Sequence, residues 1–253
     1  MKKVVFTLLL LASFCFSAYA ETEPPQTFSE AMRWYKEAAK EGNPRAQFLL
    51  GLMYHNGIRV GRDLVEAERW YRAAALKGHS SAQLSLAVIL HKGEISQADP
   101  TGALRWYELA AKQGITEAQY NLGVLYDRGE GVLADAKKAV FWYEKASSTG
   151  HSGAQNNLAI LYMRGEGVDL DLQRARLLYE EAAKTGLVDA QYNLGVWYIQ
   201  GKGNEQDLVS AHRWFSIVAS GSDERLMEKA SRNILKIEEL MSKSELDSVR
   251  NSD

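Results

Sequence analysis

The stretch ALRWYELAAKQGITEAQYNLGVLYDRGEG, residues 103–131, carries two apolar stripes at helical spacing. Ala103, Trp106, Tyr107, Ala110 and Ala111 stand at i, i+3, i+4, i+7 and i+8, one stripe of a helix. Gly114 interrupts that pattern. Ala118, Leu122, Leu125 and Tyr126 then make a second apolar stripe, which Gly129 ends. The stretch predicts two short helices joined by a tight turn.

The same pattern recurs every 36 residues on either side. Trp34, Trp70, Trp106, Trp142 and Trp214 share one column, with Leu178 at the missing point. The next column reads Tyr35, Tyr71, Tyr107, Tyr143, Tyr179 and Phe215. Ala46-Gln47 returns as Ala82-Gln83, Ala118-Gln119, Ala154-Gln155 and Ala190-Gln191. The register never slips, so no repeat carries an insertion. A hairpin of helices about 20 Å long cannot bury its own stripe, so neighbours must stack. The expectation is an all-α fold, an α/α superhelical solenoid of stacked helix-turn-helix repeats. The Trp and Tyr columns together should fill the space between layers, and Gly51, Ala87, Gly123, Ala159 and Gly195 should let backbones approach.

Punctuation agrees with the pattern. Asp63, Asp99, Asp135, Asp171 and Asp207, with Thr27 in the first repeat, sit where an N-cap acceptor is needed. Thr27 with Glu30, and Asp63 with Glu66, have capping-box spacing. Pro100 follows Asp99 at a first helical position. In the second repeat the second helix should run from about Ser80 to Lys92 and stop at Gly93, as its equivalents stop at Gly57, Gly129, Gly165 and Gly201. Ser242 with Glu245 predicts one more short helix near the end.

The first residues follow another rule. Lys2 and Lys3, an apolar run from Val4 to Ser17, and Ala18-Tyr19-Ala20 read as a secretory signal peptide cut after Ala20. The expected organisation is a signal peptide at 1–20, a linker at 21–26, a repeat solenoid at 27–237 and a C-terminal cap and tail at 238–253. Loss of Cys15 with the signal leaves no thiol for disulfide, catalysis or metal. The expected location is periplasmic or secreted, with no membrane insertion after cleavage. Without Lys2 and Lys3 the chain holds 28 basic and 32 acidic residues with no basic block, which speaks against nucleic acid.

These residues resemble the Sel-1-like repeat family, a relative of the tetratricopeptide repeats. The family pattern reads here as Ala103, Trp106-Tyr107, Ala110-Ala111, Gly114, Ala118-Gln119, Leu122-Gly123, Tyr126, Gly129 and Gly131. The resemblance runs from about residue 28 to 237. The first two loops depart from it, with Arg59 and Ile95 in place of the second glycine, and the sixth unit has Leu226-Met227 for Ala-Gln, as a capping repeat would. It implies an adaptor or scaffold, in bacteria often exported and linked to envelope signalling or host interaction. A cysteine-rich branch is associated with penicillin binding; this chain lacks those cysteines.

A search for chemistry returns structural positions. His55 and His91 share a column near helix ends, where a histidine suits the dipole, and two ligands fall short of a zinc site. Gly129/Gly131, Gly165/Gly167 and Gly201/Gly203 follow helices rather than strands and lack a phosphate-loop lysine. No Ser-x-x-Lys occurs after the leader and no Gly-x-Ser-x-Gly occurs at all. No catalytic residue, cofactor or metal is expected, and the chain reads as a non-enzyme.

The exposed columns remain. The one just before the tryptophans points away from the apolar stripe: Arg33, Arg69, Arg105, Phe141, Leu177, then Arg213. On one reading the first five form a partner-binding strip, because arginine and apolar anchors serve protein interfaces. On the other the arginines are solvated or paired with Glu30, Glu66 or Glu68, and Phe141 and Leu177 are scattered exposures. The functional expectation is a protein–protein interaction scaffold or adaptor in the bacterial cell envelope. The alternative is a glycan- or peptidoglycan/β-lactam-interacting protein. Partner identity and oligomeric state are left open.

Overall fold

The structure is a computed structural model that describes residues 28–201 and 206–250. The expected signal peptide, its cleavage site, the linker, the Thr27 cap, Gly203 and residues 251–253 lie outside the described residues. Among the described residues there are thirteen α-helices and no strand. One unit, ending at Asp99, holds α1 (Phe28–Lys40), α2 (Pro44–Asn56), α3 (Leu64–Leu76) and α4 (Ser80–Lys92). The other, from Pro100, holds α5 (Pro100–Lys112), α6 (Thr116–Arg128), α7 (Ala136–Ser147), α8 (Ser152–Arg164), α9 (Leu172–Lys184), α10 (Val188–Gln200), α11 (Leu208–Ala219), α12 (Glu224–Glu238) and α13 (Lys243–Arg250). Within each unit each helix up to α12 packs on the one before it, and α13 packs back on α11. Odd-numbered helices up to α11 are the first of each pair, and even-numbered ones the second.

The caps explain the boundaries. Asp63, Asp135, Asp171 and Asp207 each accept from the backbone N–H three residues on, at 3.0, 3.1, 2.8 and 2.8 Å. Such a cap contributes about 1 kcal/mol. The same aspartates donate their own N–H to the preceding second helix: Asp63 to Tyr54, Asp135 to Tyr126, Asp171 to Tyr162 and Asp207 to Tyr198. Each aspartate therefore ties two repeats together. This explains why the Asp63/Glu66 capping box is only half made. The Asp63 N–H is already taken, and Glu66 turns to Arg69 instead. Ser242 and Glu245 do form the reciprocal box, with Ser242 N donating to the Glu245 carboxylate at 2.7 Å and Glu245 N donating to Ser242 Oγ at 3.3 Å. Gly57, Gly93, Gly129, Gly165 and Gly201 end the second helices in left-handed conformation.

The two aromatic columns do not share the core equally. Tyr35, Tyr71, Tyr107, Tyr143, Tyr179 and Phe215 are all buried, whereas Trp34, Trp70, Trp106, Trp142 and Trp214 are only half-buried. Consecutive residues on a helix lie about 100° apart. With the tyrosine pointed inward, the tryptophan before it sits on the stripe's edge. Trp70 is covered by the Arg69 guanidinium, 4.6 Å from the ring centroid. Leu178, smaller than the tryptophan it replaces, is buried, and Trp197 is a core residue.

The glutamine column holds four of its five pairs closed. Gln47, Gln119 and Gln191 donate from Nε2 to the carbonyls of Ala39, Ala111 and Ala183 at 3.0, 3.2 and 3.2 Å, and Gln83 does so to Ala75 at 3.1 Å. These carbonyls end the first helix and have a lone pair to spare. Gln155 differs: its amide reaches Glu181 at 3.0 Å.

Candidate interaction surface

The first helices present the column that the sequence singles out. Arg33 and Arg69 are exposed on the first unit, and Arg105, Phe141 and Leu177 on the second. Phe141 and Leu177 are 49% and 45% exposed, which is high for large apolar side chains on helices that otherwise bury their stripe. Arg69 is engaged on its own helix, paired with Glu66 at 2.8 Å and stacked on Trp70. Phe141 meets Trp142 edge-on at 4.9 Å, and the Lys145 ammonium lies over its ring, also at 4.9 Å.

Two further residues extend this surface in the second unit. Leu109 on α5 and Ile217 on α11 are 44% and 48% exposed, one helical turn beyond the column. Four successive first helices, α5, α7, α9 and α11, thus each point one large apolar side chain outward. Their sequence column, four residues after the first, reads Glu37, Ala73, Leu109, Lys145, Glu181 and Ile217, so the pattern alone does not single them out.

The second helices of the same unit carry a largely buried polar row, which the sequence reading did not find. Asn193 Nδ2 donates to Asn156 Oδ1 at 2.9 Å, Asn156 Nδ2 to Asn157 Oδ1 at 3.2 Å, and Asn157 Nδ2 to the Tyr143 hydroxyl at 3.1 Å. Tyr143 in turn donates to Asp127 at 3.2 Å. All donors run in one direction and end on a carboxylate, an arrangement in which each bond polarises the next. Burial, with the Asp127 charge beside it, pushes the Tyr143 hydroxyl well above the ordinary tyrosine range. The clue was the recurrence of Asn121, Asn157 and Asn193, a poor helix former repeated at mid-helix.

The histidines take structural places. His79 and His151 accept from Ala82 N and Ala154 N through Nδ1, as N-caps of α4 and α8. His55 and His91 lie in the last turns of α2 and α4. Among the described residues no group of three or more His, Cys, Asp or Glu is placed to hold a metal ion. No helix among them is long and apolar enough to cross a membrane.

The Sel1 repeat family matches residues 24–43, 44–79, 80–115, 116–151, 152–187 and 188–223. The crystal structure of a Sel1 repeat protein from Oxalobacter formigenes is 30% identical with a TM-score of 0.72, over 79% of this chain and 83% of that one. The structure of a protective antigen present in uropathogenic Escherichia coli strains, which displays an SLR fold, is 29% identical with a TM-score of 0.59. That similarity covers 97% of this chain but 59% of the antigen, so the chain spans less than two thirds of that relative. Among curated proteins no match was found.

Proposed function

The chain belongs to the Sel1 repeat family of α/α solenoids, whose repeats are protein–protein interaction modules, and we propose that it is a scaffold exported to the bacterial cell envelope. It acts in the periplasm or outside the cell, after removal of residues 1–20, and binds a protein along its first-helix surface rather than catalysing a reaction. The observation that carries this reading is the outward placement of Phe141 and Leu177 on successive first helices, at 49% and 45% exposure. Leaving both in water forgoes the burial that an interface supplies, about 25 cal/mol for each Å² covered. Sel1 repeat scaffolds are typically non-enzymatic, which fits a surface rather than a cleft.

The test is crosslinking capture with the tagged protein in intact cells, comparing wild type with Phe141→Asp/Leu177→Asp. Both positions face solvent, so the variant should fold, and circular dichroism checks that it does. Protein captured by wild type and lost in the variant supports the scaffold and this surface. Equal capture moves the site elsewhere, and recovery of glycan or peptidoglycan in place of protein sinks the proposal.

The polar row on the second helices supports a second location for the same activity. Its half-buried amides, Asn157 and Asn193, are already held by Tyr143 and the buried Asn156, so a bound polypeptide would find them preorganised. Asn157→Ala/Asn193→Ala in the same capture experiment separates the two surfaces.

A further inference from the structure

We infer that the first-helix face of the second unit docks an acidic protein segment bearing apolar side chains; this rests on the scaffold reading above and names the partner's chemistry. Charge is segregated within this unit. Helices α5, α7, α9 and α11 carry nine lysines and arginines against four glutamates, although acidic residues outnumber basic ones in the chain, 32 to 30. The second helices α6, α8, α10 and α12 show no such excess, with six basic against six acidic residues. The excess therefore belongs to the first-helix face.

Cap aspartates stand at the starts of α7, α9 and α11, where Asp135 pairs with Lys138 at 3.4 Å, but the four glutamates within the helices do little to neutralise the cations further along. Glu108 accepts from the Tyr126 hydroxyl at 3.3 Å and Glu144 from Tyr162 at 3.2 Å. Glu181 accepts from Gln155 at 3.0 Å, and Glu180 is spent on Arg176 at 3.1 Å. Three of the four carboxylates are thus drawn toward the second helices by uncharged donors. Their positive neighbours on the outer face, among them the exposed Arg105, Lys137 and Lys145, keep their field.

Leu109, Phe141, Leu177 and Ile217 stand among these cations, each 44–49% exposed. Apolar anchors flanked by one sign of charge select a partner of the opposite sign that also offers apolar groups. A purely polar anion would leave the four apolar side chains uncovered. A neutral apolar partner would bury cations without compensation.

A photo-crosslinking side chain is placed at 141, at 177 and, as a comparison, at 157 on the second helices, in the full chain expressed in its own cells. The covalently attached segments are sequenced. The expected result is attachment through 141 and 177 to protein segments of net negative charge that contain apolar residues. Arg105→Glu/Lys145→Glu should lower the yield about tenfold, the factor that about 1.4 kcal/mol represents. Raising salt should lower it in the same way, by screening. Neutral or basic segments, lipid, glycan or a second copy of this chain attached through 141 and 177 would overturn the inference. Protein attached only through 157 overturns it while leaving the scaffold intact. No protein through any of the three removes both.

Discussion

Gly123 on α6 lies flat against the ring of Tyr143 on α7: a Cβ at position 123 would meet Cδ1 at 2.5 Å and Cε1 at 2.6 Å. Tyr143 has little room to withdraw. Its side chain is fully buried, and its hydroxyl is held between Asp127 and Asn157. Gly123→Ala should therefore cost about 1–3 kcal/mol, the usual range for forcing a methyl into a filled core. A lower urea midpoint at unchanged slope is the expected readout. An unchanged midpoint would mean that the two helices part without penalty, and that the glycine column is not a spacing device. Gly51 against Tyr71 repeats the geometry at the same 2.5 Å, so Gly51→Ala should behave alike.

Gln119 tests the lock within a pair. Its Nε2 reaches Ala111 O at 3.2 Å while the side chain is 7% exposed. Gln119→Ala loses this bond and leaves a small cavity, so a loss of about 2 kcal/mol is expected by chemical denaturation. Ala111 O keeps a second donor, Gly114 N at 3.0 Å, which limits the damage. A loss above about 5 kcal/mol would show that the pair cannot form without the glutamine.

Local grammar was the legible part of this chain. Asp63 as a cap, Gly93 as a stop and the bounds Ser80–Lys92 for α4 all depend on neighbours in sequence, and all stand as expected. What the sequence could not separate was Trp70 from Tyr71. Both fit one stripe, and only packing against the next helix shows which is inside. The hydrogen-bonded chain from Asn193 to Asp127 joins four helices, so no single stripe displays it. Asn43, His79, His151 and Asp223 as second-helix caps were legible in principle as one column, but only two of the four are usual capping residues.

Arg59 occupies the place of the second loop glycine with φ of 57°, the one non-glycine residue among those described that adopts a positive φ. In the third repeat that place belongs to Gly131, whose φ is 71° and whose Cβ would fall 2.5 Å from the Pro100 carbonyl carbon. Left-handed backbone costs a non-glycine residue on the order of 1 kcal/mol. Arg59→Gly should raise the thermal midpoint, with a gain trimmed by the extra freedom glycine gives the unfolded chain. A lowered midpoint would show that the Arg59 side chain contributes more than its backbone strain removes.

His79 makes stability depend on acid. Its Nδ1 must be unprotonated to accept from Ala82 N at 3.3 Å, and its ring stacks on Phe48 with centroids 4.6 Å apart. Burial first, and then the positive charge of Arg45, hold its pKa below the ordinary histidine value of 6.5. The folded protein therefore binds this proton less readily than the unfolded chain. Above pH 6.5 both states are neutral and the cap contributes in full. As pH falls below 6.5 toward the depressed folded value, the unfolded chain takes up the proton first and stability declines. Asn43 shows the remedy at the same position of the first pair, accepting from Arg45 N and Ala46 N at 3.0 and 3.1 Å with no group that titrates. His79→Asn should match wild type near pH 7.5 and melt at a higher temperature than wild type at pH 5. The measurement is the midpoint against pH for both proteins. Parallel curves would remove His79 as the source of the acid slope and leave it as a cap alone.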